Sequence, residues 1–146
     1  MAKILALNPG ATSTKIAVFD GEKVLVKKTV EHQGPEMKDF GSIYDQVDYR
    51  TDLIMAALNE AAMKLGDLQA IVGRGGLLKP MNGGTYAVNQ AMLTDLRLAE
   101  RGEHASNLGG ILAYNLASQV GIPAYIVDPV AVDELIMTSG SFSIGF

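Results

Sequence analysis

Residues 4–26 read ILALNPGATSTKIAVFDGEKVLV, and the fold turns on how this stretch is punctuated. An apolar run over residues 4–7 stops at Asn8-Pro9-Gly10, resumes at Ile16, stops again at Asp20-Gly21 and resumes at Val24. Short apolar runs between turn residues read as strands, and Asp-Gly between two of them signals a hairpin because both residues tolerate positive φ. Strands are therefore predicted over residues 3–7, 15–19 and 24–30, with Val24, Val26 and Val30 on one face of the third. Together they make a three-stranded antiparallel meander whose first turn is NPGATSTK, residues 8–15.

Outward from the meander, residues 32–42 carry Gly34, Pro35 and Gly41 and read as a loop or broken helix. Leu53, Ile54, Ala57, Leu58, Ala61 and Leu65 follow helical spacing, which predicts a helix over residues 45–65 with Gly66 as its C-cap. A short buried strand over residues 70–72 runs into Gly73-Arg74-Gly75-Gly76 and a long loop over residues 77–85. Asn89 is placed to cap a helix through Leu98. Ser106 is placed to cap another through Val120, with Leu108, Ile111, Leu112 and Leu116 as its buried stripe and Gly121 and Pro123 as stop signals. The last strand covers residues 124–127, and Asp128 follows it, held out of helical backbone by Pro129.

The order βββ-α-β-α-α-β implies an α/β domain, with the meander extended by parallel strands and helices on both faces of the sheet. In such sheets ligands gather beyond the carboxyl ends of strands. The turn at 8–15, the loop at Arg74 and Asp128 each follow such an end, so a single cleft is expected to hold all three.

Composition narrows the function. The chain has 146 residues, 48% hydrophobic and 19% charged, enough for one domain with a buried core. A net charge of −4 with no basic cluster argues against nucleic acid or an anionic membrane as partner. The absence of cysteine excludes disulfides, thiolate metal sites and cysteine nucleophiles. The N-terminal apolar run is too short for a signal or a membrane span, so a soluble, cytoplasmic protein is expected.

Neither common nucleotide fingerprint is present, since GxxxxGK[ST] and GxGxxG both fail. The 8–15 stretch is then either a plain tight turn or a loop that meets phosphate. In the second case Asn8 is a metal or phosphate contact, Thr12, Ser13 and Thr14 are hydroxyl donors, and Lys15 is a point charge for phosphate oxygens. Arg74 sits among glycines, where its fork and nearby backbone can close on an anion together, or it pairs with a surface acid. His104 lies just before a helix N-terminus, where negative charge is favoured, and is either a site residue or structural. Asp128 either braces its turn or holds Mg²⁺, with Asp133 and Glu134 as weaker candidates. His32 is assigned no function.

The segments ILALNPGATSTKIAVF, VGRGGLLKPMNGGTYAVNQAML, GEHASNLGGILAY and IPAYIVDPVAVDEL resemble, in this order, the butyrate kinases of the acetokinase family. That resemblance implies a ribonuclease H-like, actin-like ATPase fold. It also implies ATP-dependent, Mg²⁺-assisted phosphorylation of a short-chain carboxylate such as butyrate, giving an acyl phosphate and ADP. The family's N-x-G-S-S-S-x-K loop falls on Asn8, Ser13 and Lys15, while Ala11 stands where the first serine would be. The resemblance puts the catalytic aspartate at Asp128, a site histidine at His104, and the catalytic, substrate-facing arginine at Arg74; Asn8 and Asp128 are the expected Mg²⁺ contacts.

Family members are more than twice this long. The matching domain is expected over residues 1–134, followed by an unmatched Ser/Gly-containing tail over 135–146 expected to be disordered, with the second kinase domain absent. On this reading the chain alone is inactive. Its second half would come from another chain, and the expected partners are a complementary C-terminal half or, in a homo-oligomer, other copies of itself. The alternative is a non-catalytic domain, a weak phosphate-binding or interaction module.

Overall fold

A computed structural model describes residues 3–32, 44–74, 85–87 and 108–127. The strands are β1 Lys3–Pro9, β2 Ser13–Asp20, β3 Lys23–Glu31, β4 Ala70–Arg74, β5 Thr85–Ala87 and β6 Ala124–Val127; the helices are α1 Val47–Glu60 and α2 Leu108–Val120. They form one sheet in the order β3-β2-β1-β4-β6-β5. The predicted meander is present, with β1 and β2 antiparallel and β2 and β3 antiparallel. β4 pairs parallel to β1, and β6 parallel to β4, so the three strands whose carboxyl ends carry the candidate residues are parallel neighbours.

Alternation along the strands sorts the side chains onto two faces. Leu5, Leu7, Ile16, Val18, Ile71 and Ile126 join Ile54, Leu58, Leu112 and Leu116 of the two helices in one core. Both described helices therefore pack on the same face. On the opposite face Ala6, Ala17, Phe19 and Val72 are buried as well, so that face is also shielded from water. The helix expected over 89–98, Ser106 as a cap and the 135–146 tail lie outside the described residues.

Local chemistry explains where elements stop. Gly21 at φ 63° turns the chain between paired Asp20 and Lys23. Gly121 at φ 71° ends α2, and the Ile122 N–H closes on the Ala117 carbonyl at 3.1 Å.

Three expectations are corrected. Gly66 does not cap α1. The helix ends at Glu60, and Ala62 takes the left-handed conformation at φ 55°, with Ala62 N–H on the Asn59 carbonyl (3.0 Å) and Met63 N–H on the Leu58 carbonyl (2.9 Å). Those two bonds make a Schellman closure, and Met63 packs against the core that holds Leu58, which offsets the cost of an alanine there. Val24 does not share a face with Val26 and Val30, because the register shifts between Val18 and Phe19 and Val24 pairs with Phe19; it is 48% exposed. Thr85, the last residue of the region read as loop, instead opens β5, which the sequence did not predict and which pairs antiparallel with β6 at the sheet edge.

One close approach locks α2 to the sheet. A Cβ on Gly73 would stand 2.2 Å from the Gly109 carbonyl oxygen, and one on Gly109 would stand 2.4 Å from that of Arg74. The helix N-terminus thus rests directly on the carboxyl end of β4, at a distance only glycine permits.

Candidate functional site

Sheet register decides which candidate residues meet. Asn8 pairs with Lys15 across β1 and β2. One residue beyond the Leu7–Gly73 pair, Asn8 comes level with Arg74 on β4, and Arg74 in turn pairs with Val127 on β6. Lys15, Asn8 and Arg74 therefore form a row across three adjacent strands, at the carboxyl ends of β1 and β4. By alternation all three share the face of Ala6, Ala17 and Val72, away from α1 and α2. Neighbouring strands lie about 4.8 Å apart, so the Lys15 and Arg74 backbones are roughly 10 Å from each other with Asn8 between them. Two long cationic side chains at that separation, flanking an amide, can converge on one anion. Lys15 is exposed, whereas Asn8 and Arg74 are half-buried. Ser13 lies two residues before Lys15 on the same face, half-buried at the start of β2.

The turn itself is built from below. Gly10 N–H donates to the Ser13 carbonyl at 2.7 Å, which closes the loop around exposed Ala11 and Thr12. Beneath it lies a residue the sequence reading passed over: Arg50 of α1, with no exposure to solvent. Its Nε donates to Gln46 Oε1 (3.0 Å), Nη1 to the Ser13 carbonyl and to Thr14 Oγ1 (3.0 Å each), and Nη2 to the Gly10 carbonyl (2.7 Å) and Gln46 Oε1 (2.9 Å). All five N–H groups of the guanidinium are used. Burial lowers its pKa to about 10, so it stays charged near neutrality. His32 belongs to the same brace: its Nε2 is 2.8 Å from Thr14 Oγ1, and its backbone N–H donates to the Thr12 carbonyl at 2.8 Å.

A signal for Arg50 was present in the sequence. The buried positions of α1 are Val47, Arg50, Ile54, Ala57 and Leu58, so the arginine occupies the apolar stripe one turn before the residues that defined the helix.

Two candidates, His104 and Asp128, lie outside the described residues. Among the described residues no group of three His, Asp or Glu side chains is arranged to hold a metal. No described helix is long and apolar enough to cross a membrane.

No protein-family model matches the chain. Butyrate kinase 1 of Clostridium acetobutylicum is 53% identical over 135 residues, 92% of this chain and 38% of that protein. Butyrate kinase 2 of the same organism is 51% identical over 133 residues, 91% of this chain and 37% of that protein. A probable butyrate kinase of Clostridium botulinum is 52% identical over 133 residues, 91% of this chain and 38% of that protein. Over this stretch the chain is homologous to the butyrate kinases, and it spans under two fifths of the length of the curated relatives it matches.

Among solved structures, Porphyromonas gingivalis acetate kinase superposes with a TM-score of 0.59 at 15% identity, over 90% of this chain and 38% of that one. Thermus thermophilus RuvC in complex with a Holliday junction substrate gives 0.54 at 14%, over 94% of this chain and 71% of that one. YeaZ from Pseudomonas aeruginosa gives 0.51 at 14%, over 90% of this chain and 46% of that one. Identities this low speak to the fold alone, and the fold is the ribonuclease H-like one.

Proposed function

We propose that this chain is the phosphate-handling portion of an ATP-dependent carboxylate kinase, acting on butyrate or a similar short-chain acid in the cytoplasm. The observation that carries the phosphate part is the Lys15, Asn8 and Arg74 row at the strand ends; the choice of acid follows the names of the butyrate kinase relatives. Lys15, Ser13 and Asn8 receive the phosphates of ATP. Arg74 faces the incoming carboxylate and the phosphoryl group it attacks, with His104 donating to phosphoryl oxygens.

The substrate is ionised near neutrality, since carboxyl groups titrate at about 4 to 5, so no general base is needed. A carboxylate oxygen forms the new bond to the γ-phosphorus as the bond to the β-phosphate bridging oxygen breaks, leaving acyl phosphate and ADP. Repulsion between two anions is the obstacle, and fixed cations and donors reduce it while stabilising the in-line transition state. Mg²⁺ would supply further charge neutralisation between phosphate oxygens. Asn8 offers it a hard oxygen from the described site, and Asp128 is the proposed carboxylate. A single amide suits an ion that keeps most of its waters.

Because the chain matches under two fifths of its relatives, we expect it to be inactive alone, the rest of the cleft coming from a complementary C-terminal part. The pure chain, given butyrate, Mg-ATP and hydroxylamine, should form no butyryl hydroxamate. With residues 1–134 replacing the corresponding span of a butyrate kinase, hydroxamate should appear and fall about 10²–10³-fold in Arg74→Ala. A folded but inactive chimaera would refute the kinase reading in favour of a non-catalytic phosphate-binding module. Turnover by the pure chain would refute the need for a second part.

A further inference from the structure

Arg50 lies on the helix side of the sheet, away from Lys15, Asn8 and Arg74, yet it holds the turn from which that row starts. Its acceptors, the Gly10 and Ser13 carbonyls, Thr14 Oγ1 and Gln46 Oε1, are all uncharged. Burying a guanidinium among neutral partners costs desolvation that an apolar side chain at the same stripe position would avoid, so packing alone does not account for it. What the fork does is orient peptides. In a trans peptide the C=O and the next N–H point opposite ways. The Gly10 carbonyl turned to Arg50 sends the Ala11 N–H outward, and the Thr12 carbonyl bonded to the His32 amide sends the Ser13 N–H away from β3. Arg50 and His32 thereby each face one loop amide away from the brace, and Arg50 leaves a fixed positive charge beneath them.

We infer that Arg50 is a positioning residue for phosphate binding, presetting the 8–15 turn so that the Ala11 and Ser13 amides and Lys15 meet an anion without reorganising. The inference rests on the reading of this turn as a phosphate loop. It assigns Gln46, Thr14 and His32 as supports of the same brace, none of them touching the ligand.

The test is titration of the ¹⁵N-labelled 146-residue chain with inorganic triphosphate, together with amide hydrogen exchange. In the unaltered chain the Ala11 and Ser13 amides should shift on titration. Arg50→Gln and Arg50→Lys should each weaken binding at least about tenfold, because charge-assisted bonds are lost even where the charge remains. Exchange should accelerate at Gly10 while Ile71 and Val72 of β4 stay protected, a local change that a general loss of stability would not produce. Should the Arg50 variants unfold, the isosteric Thr14→Val decides, with about threefold weaker binding expected in a folded chain. Binding that persists unchanged in folded Arg50→Lys, or in Thr14→Val, overturns the role of the brace and leaves the phosphate loop standing. An unaltered chain whose 8–15 amides do not respond overturns the phosphate loop itself, and this inference with it.

Discussion

Replacing Gly73 by alanine tests the contact that sets α2 on the end of β4. The added Cβ would lie 2.2 Å from the Gly109 carbonyl oxygen, 2.3 Å from its carbon and 2.8 Å from the Gly110 nitrogen, where ordinary contact begins near 3.4 Å. Both sides of this contact are backbone, so no rotamer change relieves it, and α2 must retreat by about 1 Å. A gap of about 0.5–1 Å forfeits a quarter to a half of the dispersion well, and the stripe Leu108, Ile111, Leu112 and Leu116 would feel it. Overpacking costs about 1–3 kcal/mol, and rigid walls put this case near 3 kcal/mol. For a chain of this size that lowers the melting temperature by roughly 10 °C. Urea and thermal unfolding followed by circular dichroism measure it, with Gly66→Ala as control, since nothing lies within 4 Å of a Cβ there. A Gly73→Ala loss under about 0.5 kcal/mol, or an equal loss in Gly66→Ala, would refute the reasoning.

Ala62→Gly should stabilise the chain by about 0.5–1 kcal/mol in the same assay, because glycine occupies the left-handed position at φ 55° without a Cβ penalty; a destabilised variant would contradict the Schellman assignment. Leu112→Ala, at a position with no solvent exposure, should cost about 3–5 kcal/mol by denaturant midpoint. Glu60→Gln removes the exposed pair with Lys28, and its effect should stay below about 1 kcal/mol and vanish in molar salt.

Much of the fold was legible because its signals are local. Turn residues bounded the three meander strands, Gly21 took the positive φ its hairpin requires, and the Leu108, Ile111, Leu112 and Leu116 spacing marked the buried side of α2 up to its Gly121 stop. The end of α1 was not legible from glycine placement, because the packing of Met63 into the core around Leu58 outweighs the preference for Gly at a left-handed position. β5 has only three residues and no pattern of its own; it exists as a strand because β6 offers an edge to pair with. Arg50 escaped because charge argues for solvent, and its burial is made tolerable by the Gly10 and Ser13 carbonyls and the Thr14 hydroxyl of a turn 36 to 40 residues earlier, together with Gln46 Oε1.

By itself the sequence determined five of the six described strands, the two described helices, the resemblance to butyrate kinases and the residue types that can meet phosphate, because turns, periodicity and motif spacing are written in neighbouring residues. Only the tertiary structure decided that Lys15, Asn8 and Arg74 stand in one row and that the NPGATSTK turn is braced from the far side of the sheet. Both depend on the register between strands more than 60 residues apart and on one helix laid against them, and pairing of that kind is settled by packing of the whole core rather than by any stretch of chain alone.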